Sequence, residues 1–244
     1  MSESLYFSEH TLQEVALIFM GLVYTIRLIW LFRFPGGKER QAATGLPGTT
    51  KRKGILYSWM NIFMPWAMES FRKKLFMWLQ FGVFHVGVVF AITLSVVIPY
   101  WPGLLEYPLV VTVTQIAIGA ACVVGCMRIV RRVGNKYLRA ISSPDDYFSL
   151  ILLTTWFAFA FLSAPNSTAG GEWPLLTYFI LTAFFLMYVP FSKISHYLYY
   201  PFTRYWFGKS MGHRGTYPIK RGPRPSPKRE ARPVAKSVTA STQS

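Results

Sequence analysis

The chain has 244 residues, of which 52% are hydrophobic, 17% aromatic and only 15% charged. Soluble domains carry about 25% charged residues, so this deficit, with a mean hydropathy of +0.30, points to lipid as the main solvent. The 26 Lys and Arg against 10 Asp and Glu would suggest nucleic acid if spread over a soluble surface. They sit instead between and after long apolar runs, so membrane topology explains them and no nucleic-acid partner is expected.

Residues 1–11 read as a short exposed arm, and the acids of MSESLYFSEH are the opposite of the basic start of a secretory signal. No cleavable signal is expected. A bilayer core takes about 20 mostly apolar residues per helix. Five stretches qualify: Leu12–Phe32, Leu75–Tyr100, Leu109–Val130, Tyr147–Ala164 and Trp173–Phe191.

The connections set the orientation. Arg33–Lys74 holds nine Lys and Arg, Arg128–Arg139 five, and the chain from Lys193 onward eleven, with Arg27 near the inner end of the first span. The arm and the turns Trp101–Tyr107 and Pro165–Glu172 hold none. Positive charge stays on the cytoplasmic side. The expected fold is therefore all-α, a polytopic five-helix transmembrane bundle over residues 12–210, with the N-terminus out and the C-terminus in.

Between the first two spans, residues 55–70 (ILYSWMNIFMPWAMES) combine Trp, Met and Phe around Pro65 and are flanked by basic residues. An amphipathic segment lying flat in the cytoplasmic interface is expected there. The second span ends in the turn Trp101–Tyr107, and the third carries Cys122 and Cys126 one helical turn apart. Adjacent-turn cysteines rarely reach disulfide geometry, so both read as packing residues. The fourth helix opens on Ser142-Ser143-Pro144-Asp145-Asp146, a serine cap, a first-position proline and acids at the positive end of the dipole. After the fifth span, residues 211–244 are rich in Pro, Arg, Lys and Ser and read as a basic, disordered tail suited to anionic lipid or a partner. There is no internal repeat, and the sequon Asn166-Ser167-Thr168 reads as accidental.

Four histidines are present. His10 lies in the arm and His213 in the tail, whereas His85 and His196 belong to apolar or aromatic helices. An ionisable side chain inside lipid is a functional candidate by default. Two neutral imidazoles from facing helices can ligate one haem iron; a hydrogen bond to a neighbouring helix is the other reading. Gly87 would let a flat macrocycle approach the second span, and Pro190 would kink the fifth. At 1.5 Å per residue, His85 stands roughly 15 Å from the inner end of its helix, while His196 lies at the inner end of its own. Met127 and Met187 are the alternative ligands if His85 lies too deep. Arg128, Arg131, Arg132 and Lys193 lie at the inner face, where they suit haem propionates or serve as positive-inside anchors.

Three patches carry a family resemblance: Phe84-His85-Val86-Gly87-Val88; then Arg131-Arg132, Arg139-Ala140 and Asp146; and Pro190-Phe191-Ser192-Lys193-Ile194-Ser195-His196. In order and spacing, about Ser58 to Tyr217 resembles the membrane cytochromes b of the respiratory nitrate reductase gamma subunit family. The Trp-Met-Pro segment looks closer to its branch in the high-molecular-weight cytochrome and sulfite-reduction-associated complexes. The resemblance implies a bacterial or archaeal cytoplasmic membrane and a non-catalytic subunit that passes electrons between a quinone, menaquinone or another, and a cytoplasmic-side iron–sulfur partner. Other membrane subunits and a periplasmic multihaem cytochrome are implied as possible partners.

Two-haem members use four histidines. Here the positions of the outer pair are Ser95 and Tyr178, so one haem b, on His85 and His196 near the cytoplasmic face, is what the resemblance implies. A haem-free membrane anchor of a redox complex and a small transporter are the alternatives. The transporter lacks the intramembrane acids and repeats such proteins show.

Overall fold

In the computed structural model, residues 2–37, 39, 40, 42, 43, 48–67 and 69–219 are described. Among them there is no strand, and the helices in chain order are α1 (Glu3–Glu9), α2 (Thr11–Arg33), α3 (Lys51–Met60), α4 (Glu69–Lys73), α5 (Leu75–Tyr100), α6 (Pro108–Gly134), α7 (Lys136–Ala140), α8 (Pro144–Ser163), α9 (Trp173–Tyr188) and α10 (His196–His213). Five helical segments are long and apolar enough to cross a membrane: Glu3–Arg33, Leu75–Tyr100, Pro108–Gly134, Pro144–Ser163 and Trp173–Phe191. The protein is an all-helical, multi-pass membrane protein.

Helices α5, α6, α8 and α9 pack in sequence, and α2 leans on α9 from outside. The ring closes where the buried Tyr178 of α9 donates its hydroxyl to the carbonyl of Ala91 on α5, at 2.5 Å. Small residues decide how near α5 and α6 come. A Cβ built on Gly87 would lie 2.1 Å from the Cβ of Ala121 and 3.1 Å from the carbonyl of Ala117. Such small-residue contacts are how membrane helices gain van der Waals packing without a hydrophobic driving force. Gly87 thus serves the α5–α6 crossing, where a cofactor approach had been expected.

The start of α8 follows its sequence. Ser143 is the N-cap and Pro144 the first helical residue, and Asp146 accepts from the Ser143 backbone N–H at 2.8 Å in a reciprocal capping box. At the far end of α9, Pro190 cannot continue the helical ladder. The helix stops at Tyr188 and the chain passes through two 3₁₀ turns, Val189–Phe191 and Lys193–Ser195, before α10 begins at His196.

Three segments have partners or bounds that their sequence reading does not give. The N-terminal arm is not an exposed tether: α1 packs on α2 and α9, Leu5 is 1% exposed, and the Ser2 backbone N–H donates to Glu172 at 2.8 Å. The 55–70 segment does not stand alone. Helix α3 pairs with α10, because Gly54 meets Gly208 and Gly212 with no side chain between them. The region beyond residue 210 is helical up to His213, and residues 220–244, most of the expected basic tail, lie outside the described residues.

Candidate functional site

His85 and His196 come together. Their ring centroids stand 6.4 Å apart with planes at 79°. Helical side chains lean toward the N-terminus of their own helix. His85 therefore leans back along α5 toward Leu75, and His196, the first residue of α10, leans back toward the turns that join it to the bundle. The 3₁₀ turns and these opposed leanings bring together rings that the residue count along each helix separates.

Each ring is oriented by its own backbone. His85 Nδ1 lies 2.8 Å from the carbonyl of Phe81, and His196 Nδ1 lies 3.1 Å from the carbonyl of Lys193. A carbonyl only accepts, so Nδ1 is the protonated nitrogen in both rings and Nε2 carries the free lone pair. Backbone carbonyls holding the distal N–H are the usual outer support of metal-bound histidine. Phe81 packs against the His85 ring at 4.1 Å between centroids, and Phe84 lies at 6.3 Å. His85 is half-buried and His196 exposed, so the pair opens on one side of the bundle.

The separation leaves room for one metal ion between the two rings. Metal–imidazole bonds are about 2.0 Å, and a ring centroid lies about 1.1 Å behind its ligating nitrogen. Two imidazoles sharing one ion would have their centroids at most about 6.2 Å apart by the same bond length, and these rings stand 6.4 Å apart. Among the described residues no group of three or more His, Cys, Asp and Glu side chains could hold a metal ion. The candidate donors at this site are two histidines, His85 and His196.

The four basic residues expected nearby divide into two sets. Lys193 donates to both carboxylate oxygens of Asp146 at 3.0 Å and to the Ser143 hydroxyl at 2.8 Å. Arg132 donates to the Ser142 hydroxyl at 2.6 Å and stands 3.8 Å from Asp146. These two cations share Asp146 as their acid. Arg128 lies over the Phe84 ring at 4.7 Å, and it lines a cleft on the outer side of α5 and α6 with Arg131.

The remaining candidates lie elsewhere. His10 contacts the rings of Tyr6 and Tyr100 at the opposite end of the bundle. Met127 faces the outer α5–α6 cleft, with its sulfur 4.0 Å from Gln80. Ser95 bonds its own helix at the Ile92 carbonyl. Tyr178 is fully buried and stacks on Trp156 at 6.2 Å, and the Trp156 indole donates to Thr182 at 2.8 Å. That half of the bundle is closed by aromatic packing.

Sequence reasoning missed two contacts near the histidines. The hydroxyls of Tyr24 and Tyr197 meet at 2.6 Å, tying α2 to α10 beside His196. Lys193 and Asp146, both noted separately in the sequence, form an ion pair between α8 and the turn before α10.

The fold and site define a multi-pass helical membrane protein in which the rings of His85 and His196 lie side by side. No protein-family model matches the chain, and no solved structure matches it. A protein of Nitratidesulfovibrio vulgaris (strain Hildenborough), whose name states no activity, is 24% identical over 213 residues, covering 84% of this chain and 89% of its own length.

Proposed function

We propose that this chain is the membrane b-haem subunit of a respiratory oxidoreductase complex, passing electrons between a membrane quinone and a cytoplasmic-side iron–sulfur partner. The observation that carries the reading is the His85–His196 pair, its rings 6.4 Å apart with both Nδ1 protons held by carbonyls. When bound, haem b supplies a one-electron couple that no side chain here provides.

The chain's own residues do the rest. His85 and His196 would hold the haem through Nε2. Asp146 anchors Lys193, whose carbonyl fixes the tautomer and tilt of His196. Phe81 and Phe84 pack beside the His85 ring and give it apolar neighbours. Lys193 and Arg132 would offer donors to carboxylate propionates. In this reading the basic end of the bundle faces the cytoplasm of a bacterial or archaeal cell, where the iron–sulfur partner docks.

Haem held by both histidines would carry a spectroscopic consequence. The oxidised protein is expected to give a low-spin electron paramagnetic resonance signal. A high-spin signal, or a low-spin one requiring a sulfur ligand, contradicts the assignment.

A further inference from the structure

We infer that the cleft between α5 and α6 at the basic end of the bundle is a binding site for one anionic phospholipid, an assignment independent of the haem reading. The cleft measures about 650 Å³. Val123 and Val130, which line it, are 61% and 71% exposed, so it opens on the outer surface of the bundle. Its walls are apolar, with Phe76 on α5 and the two valines on α6, and its polar edge is made by Gln80, Arg128 and Arg131.

Both arginines lack a carboxylate partner among the described residues, and the acids at this end are committed elsewhere. Asp146 holds Lys193 and Arg132, Asp145 accepts from Tyr188, and Glu69 pairs with Lys73. Arg128 and Arg131 are three residues apart on one helix, a spacing at which like charges repel. The Gln80 side chain is buried, and its amide nitrogen lies 4.0 Å from the sulfur of Met127. Sulfur is a weak acceptor, so the amide keeps hydrogen-bonding capacity for a ligand.

This combination selects the ligand. Two guanidiniums offer paired N–H donors to a phosphate, in the last turns of a membrane helix, where headgroup phosphates lie. The apolar walls suit an acyl chain. A free phosphate would leave those walls unused, and a neutral quinone would leave two cations uncompensated. Basic pockets between membrane helices are a known form of anionic-lipid recognition.

The test is native mass spectrometry of the full chain in detergent, titrated separately with phosphatidylglycerol and with phosphatidylcholine of matched chains. One phosphatidylglycerol is expected to be retained at a concentration at least about tenfold lower than phosphatidylcholine, given two basic contacts. Inorganic phosphate is expected not to displace it. The preference is expected to disappear in an Arg128→Gln/Arg131→Gln variant and persist in Lys51→Gln/Lys53→Gln. Val123→Trp, which fills the cleft without touching a charge, is expected to release the lipid from a chain that still elutes as folded. Equal retention of the two lipids, or a preference surviving both cleft variants, overturns the proposal. Displacement by phosphate at equal concentration overturns the lipid assignment in favour of a bare phosphate site.

Discussion

Lys193 grips both carboxylate oxygens of Asp146 at 3.0 Å with its ammonium, and the carbonyl of the same lysine accepts from His196 Nδ1 at 3.1 Å. One residue thus links the capped start of α8 to the orientation of a candidate axial ligand. The Lys193 side chain is 62% exposed, so the ion pair itself adds little to global stability. Its consequence is local. Asp146→Asn is expected to lower the melting temperature by only a few degrees while measurably weakening retention of a haem ligated by His196. Lys193→Met keeps the carbonyl and the α8 cap and loses only the grip, so it should weaken haem retention as Asp146→Asn does with a smaller loss of melting temperature, and the double variant should retain haem no worse than Asp146→Asn. Additive losses in a haem-retention titration would show that the two act separately.

At Gly87, α5 lies tightly against α6. Gly87→Ala places a methyl 2.1 Å from the Cβ of Ala121, an overlap that two packed helices relieve by moving apart. Overpacking of this kind costs roughly 1–3 kcal/mol. Ala121→Gly in the same chain removes the opposing methyl and is expected to restore most of the loss. Thermal unfolding of the four proteins measures the coupling, and a Gly87→Ala chain as stable as wild type would refute the contact.

The α3–α10 pair depends on glycine in the same way. A Cβ on Gly54 would lie 2.3 Å from the Gly208 carbonyl and 2.6 Å from the Cα of Gly212. Gly54→Ile is expected to separate the two helices without disturbing the spans. Limited trypsin digestion then cuts faster at Lys51, Arg52 and Lys53, while the protein elutes unchanged. Unaltered cleavage would mean that α3 is held by contacts other than this crossing.

Tyr178 closes the half of the bundle away from the basic end. Tyr178→Phe removes one hydrogen bond to a helix carbonyl that keeps its own ladder, at a cost of about 1 kcal/mol. Tyr178→Ala removes a fully buried ring and is expected to cost about 3–5 kcal/mol, the range for large aromatic truncations. Denaturation in mild detergent distinguishes the two, and similar losses would place the ring outside the core.

The five spans were legible because lipid demands long apolar runs and tolerates few charges within them. The second and fifth, Leu75–Tyr100 and Trp173–Phe191, coincide with the structure residue for residue. The Ser143–Asp146 cap was legible because it is local chemistry within four residues. The meeting of His85 with His196 was only half legible. Residue types nominated both, but counting 1.5 Å per residue along straight helices set them at different depths, and only the turns from Val189 to Ser195 remove the difference. The role of Gly87 was misread because a glycine announces a close approach without naming what approaches. The packing of α1 was missed because seven residues are too few to show a buried face, and the partners of Leu5 and Ser2 lie far along the chain on α9 and at Glu172.

Ligation of haem by His85 and His196 is tested by a dithionite-minus-oxidised optical spectrum of the purified protein, with haem and protein both quantified, for wild type, His85→Ala and His196→Ala. One haem b per chain is expected in the wild type and its loss in both variants, with each variant still folded. A haem-free wild type, or haem retained after removal of either histidine, would contradict it.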